Sequence, residues 1–191
     1  MKIGKIEISL WDIPKITGSG PPAVDTERMI EVPLGNWFIN SRGPQITEVG
    51  AVTPYYYKTN HPVIDPNDTW PGCIKQKAED LDYSDLNVLS ISTIEHIYRG
   101  EYGHPYNPEV AINVLKKMMQ AKNWLITWAV GYHKQLDAYI ENNNVKSIKL
   151  HRTKFSVWAI EPSIKHVEYN RPFPYGNAIY VVTNCEELYN A

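Results

Sequence analysis

The stretch Ser90-Ile91-Ser92-Thr93-Ile94-Glu95-His96 closes an apolar run that begins at Asn87. A run of strand length that breaks into small hydroxyls, then an acid and a histidine, reads as a buried parallel strand. Its carboxyl end would open onto a crevice, the place where open α/β sheets bind their ligands. Earlier, Ile46-Thr47-Glu48-Val49-Gly50-Ala51 is a short strand running into a glycine, and Val63-Ile64-Asp65 is a third that ends on an acid. Side by side, the three ends bring Gly50, Asp65 and the Glu95-His96 pair to one pocket of the nucleotide-binding kind.

Working outward, strands are expected at 46–50, 62–65, 73–77, 87–92 and 124–130, with 147–158 and 177–183 closing the sheet. The clearest helix runs from Pro108 to about Lys122. Asn107 can cap it, Pro108 suits its first turn, and Val110, Ala111, Val114, Leu115, Met118 and Met119 form one apolar stripe. That stripe is packing against a sheet rather than a cofactor box. A second helix is expected at 134–142, before the turn Asn142-Asn143-Asn144. Strands alternating with helices predict an α/β fold with a mostly parallel sheet and an antiparallel last pair. The link between Gly50 and the next strand leaves room for a very short helix or none. Ahead of the fold, residues 1–25 read as a short edge strand or arm followed by a flexible linker: an alternating segment from Ile3 to Leu10, then Pro14 and Gly18-Ser19-Gly20-Pro21-Pro22. Residues 26–191 form the single domain. A helix starting at Asp25-Thr26 is expected to be brief, because Pro33 and Gly35 follow.

At 191 residues the chain is long enough to bury one sizeable core without staples. A formal net charge of −2 gives no basic face for nucleic acid. Two cysteines do not make a disulfide framework, so a reducing compartment is expected. No window approaches the roughly 18 consecutive apolar residues of a membrane span, and the N-terminus lacks a signal pattern. The expectation is a soluble, cytoplasmic protein. Thirteen tyrosines and six tryptophans against three phenylalanines give its aromatic surface polar handles, which suit clefts and interfaces or the rim of a mixed core.

With these pieces in order, the chain resembles the class I S-adenosylmethionine-dependent methyltransferases, and within them a compact branch of sugar and glycan O-methyltransferases. The carriers, in order, are Glu27-Arg28-Met29-Ile30-Glu31, Glu48-Val49-Gly50-Ala51-Val52, His61-Pro62-Val63-Ile64-Asp65 and Ser90-Ile91-Ser92-Thr93-Ile94-Glu95-His96. Thr127-Trp128-Ala129-Val130-Gly131-Tyr132 and Pro172-Phe173-Pro174-Tyr175-Gly176-Asn177-Ala178-Ile179 complete the set. The resemblance implies a Rossmann-like fold binding S-adenosyl-L-methionine. It implies that Glu48, Gly50, Ala51 and Ser90 meet the cofactor, Glu48 compensating its ammonium. By the same resemblance Asp65 accepts both ribose hydroxyls, Asp80 accepts from the adenine amine, and Arg28 or Glu31 reaches the amino-acid end. One departure stands out: the family pattern continues Gly-x-Gly, whereas here Gly50-Ala51-Val52-Thr53-Pro54 lacks the second glycine.

Transfer to a sugar hydroxyl gains from a base at the acceptor oxygen. His96 is the candidate, with Glu95 either orienting it or contacting the cofactor; the plainer reading is that His96 caps its loop. His133 and Tyr132 rank second as base or acceptor contact. Tyr98 to Asn107, carrying Tyr102 and His104, reads as an acceptor-side loop or as a solvated connection, and Arg152 lines the acceptor side. No pair of the six histidines has zinc-site spacing, so no metal ligands are assigned. A divalent ion holding the acceptor's oxygens, as some sugar methyltransferases use, with Glu95 and His96 as ligands, stays open as the less favoured alternative. Two rival readings stay open. One is a scaffold domain that keeps the fold without catalysis, as a module of a larger glycan-processing protein. The other is a nicotinamide enzyme, which the lack of a Gly-x-Gly-x-x-Gly turn disfavours.

Overall fold

A computed structural model describes residues 1–9, 26–43, 45–154, 157–160, 168–169 and 176–190. The expected connection over residues 10–25 and the motif residues Pro172 to Tyr175 lie outside the described residues.

The first residues make a small hairpin, β1 (Lys2–Ile3) with β2 (Ile6–Glu7). The main sheet is built from β3 (Ile46–Val49), β4 (Val63–Ile64), β5 (Asn87–Ile91), β6 (Asn123–Ala129), β7 (Ser147–Lys154), β8 (Val157–Ile160) and β9 (Ala178–Thr183). Its order is β4-β3-β5-β6-β9-β7-β8. The first four strands are parallel, and β9 runs antiparallel to both β6 and β7. The fold is therefore α/β, a seven-stranded mixed sheet flanked by helices. The chain leaves β3 toward β4 and returns on its other side at β5. The carboxyl ends of β3 and β5 thus part at a topological switch point.

Two cores sandwich the sheet. On one face lies α1 (Arg28–Arg42), whose Ile30, Leu34 and Phe38 pack with Leu89, Ile91 and Leu125, joined by Ile3 and Ile8 of the arm. On the other lie α2 (Pro108–Met118) and α3 (Lys134–Asn142), which bury Val114, Leu115, Met118, Leu136 and Ile140 against Val88, Ile126 and Trp128. Among the described residues no helix is long and apolar enough to cross a membrane.

Three expectations need correction. The helix at the start of the fold is not brief, since α1 runs 15 residues with Pro33 inside it. An interior proline costs about 3 kcal/mol. Burying Met29, Ile30, Leu34 and Phe38 returns roughly 1.5–3 kcal/mol each, which outweighs that cost. Gly35 is a packing residue here, because a Cβ on it would lie 2.6 Å from Ile91 Cδ1. Next, 73–77 forms no strand. A single parallel bridge joins Ile74 to Ile64, and Ile74 stays exposed, since the Lys75-Gln76-Lys77 run that follows offers no face to bury. Last, 147–158 is two antiparallel strands, β7 and β8, with a register shift between Arg152 and Lys154. The link after Gly50 holds only a 3-10 turn, Thr53–Tyr55, as its length demanded.

Candidate functional site

The ends of β3, β4 and β5 and the turns that follow them enclose a cleft of about 420 Å³. Gly50 leaves β3 at φ 87°, and its N–H donates to Ile64 O at 2.9 Å, so the backbone turns over the end of β4. Asp65 is held by three backbone donors. Its Oδ2 accepts from Ala51 N at 3.3 Å, and its Oδ1 from Asn67 N at 2.8 Å and Asp68 N at 2.9 Å. A carboxylate offers about four lone-pair directions, so Asp65 is fixed in place and still able to accept from a ligand.

Arg28 forms a further part of the wall, and behind it lies Glu31. Glu31 accepts from Arg28 Nη1 at 2.6 Å, from Ser92 Oγ at 2.8 Å and from Thr127 Oγ1 at 2.8 Å. It thereby ties α1 to the ends of β5 and β6. Burial pushes its carboxyl above the usual range, against the pull of Arg28 and the two hydroxyls.

On the other side stand His96, Tyr98, Tyr102 and His104. His96 follows β5 on a 3-10 turn, Ile94–His96. Its Nδ1 lies 2.6 Å from Glu101 Oε2, and the Tyr132 hydroxyl donates to Glu101 Oε1, also at 2.6 Å. Burial alone would raise the Glu101 carboxyl, yet its bonds to His96 and Tyr132 bring it below the ordinary range. Tyr132 is itself braced by Arg99, whose Nε donates to its carbonyl at 2.9 Å and whose guanidinium lies 4.7 Å from its ring. Tyr102 is 65% exposed at the mouth of the cleft.

Gly50, Ala51, Asp65, Arg28, His96, Tyr102 and His104 thus come together on one cleft, with Tyr132 behind His96. Other expected site residues do not line it. Glu48 is fully buried under the loop that follows β3, accepting from Val52 N at 3.0 Å, Thr53 N at 2.7 Å and the Thr53 hydroxyl, with His61 Nε2 at 2.9 Å. One oxygen is spent on backbone N–H groups and the other on the Thr53 hydroxyl and the His61 ring, so it shapes the loop instead of meeting an ammonium. Ser90 is buried on the face opposite α1. Asp80 is exposed at the end of a 3-10 turn, and its neighbour Glu79 takes the place on the cleft wall. Glu95 turns inward and accepts from Ala129 N at 3.5 Å, while its Oε2 has no hydrogen-bond partner among the described residues. It does not orient His96. His133 is the cap of α3, its Nδ1 accepting from Leu136 N at 3.1 Å, and burial lowers its pKa. Arg152 is buried on β7, donating to Asn177 Oδ1 at 3.0 Å.

Glu101 escaped the sequence reading because it reaches His96 through a loop of no regular period, marked only by its glycines. Among the described residues no group of three or more His, Cys, Asp or Glu side chains could hold a metal ion. Compared with known protein families, with curated proteins and with solved structures, the chain finds no match.

Proposed function

We propose that the chain is an S-adenosylmethionine-dependent O-methyltransferase of the class I fold, acting on a hydroxyl of a sugar or glycan. The observation that carries this reading is that a backbone-fixed carboxylate, Asp65, and a carboxylate-held imidazole, His96, open on one cleft at the switch point of the sheet. Four parallel strands followed by β9 antiparallel to them are compatible with the fold the resemblance implies, although the sheet as a whole is mixed, with three parallel and three antiparallel pairings.

The residues suit such a donor. The cleft volume falls within the roughly 300–1,000 Å³ of small-molecule sites. Asp65 would take the ribose hydroxyls, Glu79 the exocyclic amine of adenine and Arg28 the carboxylate of the amino-acid end. The missing second glycine is offset by Glu48, which draws Val52 N and Thr53 N under the loop and leaves the backbone of Gly50 and Ala51 facing the cleft.

When bound, the donor supplies an electrophilic methyl group on a sulfonium. The chain aligns the acceptor oxygen with it, and most of the acceleration comes from that alignment. In that transfer His96 would be the base that takes the proton of the acceptor hydroxyl. Tyr98, Tyr102 and His104 offer ring faces and polar edges to a sugar.

Calorimetric titration with S-adenosylhomocysteine tests the reading. Micromolar binding that Asp65→Ala abolishes is the expected result. A folded wild-type protein that fails to bind, or an Asp65→Ala variant that binds equally well, would overturn it and favour a scaffold without catalysis.

A further inference from the structure

We infer that Glu101 is the positioning residue of this site, fixing His96 as its Nδ1–H tautomer so that the Nε2 lone pair is the one left for a ligand in the cleft. The inference deepens the methyltransferase reading and rests on it for the identity of the proton donor. Its structural part stands on geometry alone.

An ionised carboxylate can only accept. At 2.6 Å from Glu101 Oε2, His96 Nδ1 must therefore carry a hydrogen, since two acceptors at that separation would repel. The second oxygen of Glu101 is occupied by the Tyr132 hydroxyl at 2.6 Å, which stops the carboxylate from rotating away. Tyr132 lies 3.4 Å from the same Nδ1, but its proton is committed to Glu101, so it does not compete. Tyr132 is clamped in turn by Arg99, at its carbonyl and over its ring, and by the ring of Tyr169 at 4.9 Å. Each member fixes the next, from Arg99 through Tyr132 and Glu101 to His96. The far nitrogen, Nε2, makes no hydrogen bond among the described residues, and His96 lies on the cleft wall.

A solvated neutral imidazole exchanges freely between its two tautomers, and in only one of them is Nε2 basic. Glu101 removes that ambiguity. Its bond to the ring is charge-assisted already, through the ionised carboxylate, and becomes an ion pair when the acceptor proton arrives.

The test reads the tautomer directly. Side-chain nitrogen–proton correlation spectra of the full chain at pH 8, assigned with His96→Gln, should show His96 protonated on Nδ1. In Glu101→Ala that preference should be lost, and Tyr132→Phe should shift it part of the way. Glu101→Asp should restore it in part, which a merely structural role would not require. Both side chains are partly exposed, so these variants should fold, as their remaining histidine signals will report. A wild-type His96 protonated on Nε2, or a tautomer unchanged in Glu101→Ala, overturns the inference. The spectra need no donor or acceptor, so they stand even if S-adenosylhomocysteine fails to bind. Where it does bind, Glu101→Ala should keep its affinity while turnover falls about tenfold to a hundredfold, a share of what a general base contributes.

Discussion

Thr93 fills the space that a side chain on Gly50 would need. A Cβ built on Gly50 would lie 1.8 Å from Thr93 Oγ1. Gly50 also stands at φ 87°, where L side chains are strained. Both constraints fall on the turn that floors the cleft. Gly50→Ala should cost about 1–3 kcal/mol of stability and abolish binding of S-adenosylhomocysteine. Adding Thr93→Ala should relieve only part of the clash, because the Thr93 Cβ itself would lie 2.6 Å from the new side chain. It also leaves the backbone strained, so the double variant should still unfold at a lower temperature than wild type in calorimetric scans.

Glu79 and Asp80 are neighbours on one turn with different exposures to the ligand. Glu79 lines the cleft and Asp80 does not. Calorimetry should find Asp80→Ala with wild-type affinity for S-adenosylhomocysteine, and Glu79→Ala weaker by about tenfold, the loss of one hydrogen bond of ~1.4 kcal/mol. A loss confined to Asp80→Ala, with Glu79→Ala at wild-type affinity, would return the proposed adenine contact to Asp80.

Glu95 should make the fold less stable as pH rises. Burial, reinforced by Glu31, holds its carboxyl well above the usual range. Folding therefore takes up a proton at this site. The stability this contributes is complete below the ordinary carboxylate range and is lost as pH climbs toward the raised folded value. Glu95→Gln removes the titration, so the variant should gain on wild type with increasing pH. Thermal unfolding at pH 5 and pH 8 would show it, each kcal/mol appearing as about 2–4 °C.

His133 acts on α3 and not on a substrate. Its lowered pKa keeps the ring neutral, so that Nδ1 can accept the Leu136 N–H. His133→Ala should lose about 0.5–2 kcal/mol, the value of a helix cap, and His133→Asn should recover most of it. Urea unfolding measures both, and affinity for S-adenosylhomocysteine should not change in either.

The parts of the fold that were legible are those with a sustained pattern. The run from Trp124 to Val130 could only be a buried strand, and the stripe from Val110 to Met119 only a packed helix. The length of α1 was hidden because Pro33 and Gly35 are breakers by local rule, while the burial that overrides them is a tertiary fact. In the site, Gly50, Asp65 and His96 were readable because strand ends announce themselves. Arg152 could have been placed from alternation, since Ile148, Leu150 and Arg152 share one face of β7 and the first two belong to the core on the α1 side. The partnership of Glu101 with His96 had no such signature. It arises from a loop folding back on itself, which no spacing rule describes.

Four non-glycine residues among those described adopt left-handed backbone conformations, and three of them, Ser92, Tyr98 and Tyr102, border the cleft. Natural selection and protein engineering should therefore pull in opposite directions here. Glycine at Tyr98 or Tyr102 would relax the chain and toughen the molecule, yet it would erase two of the rings that wall the cleft. Screens for heat resistance should accumulate such exchanges in this rim, and with each one the protein should become sturdier and less discerning.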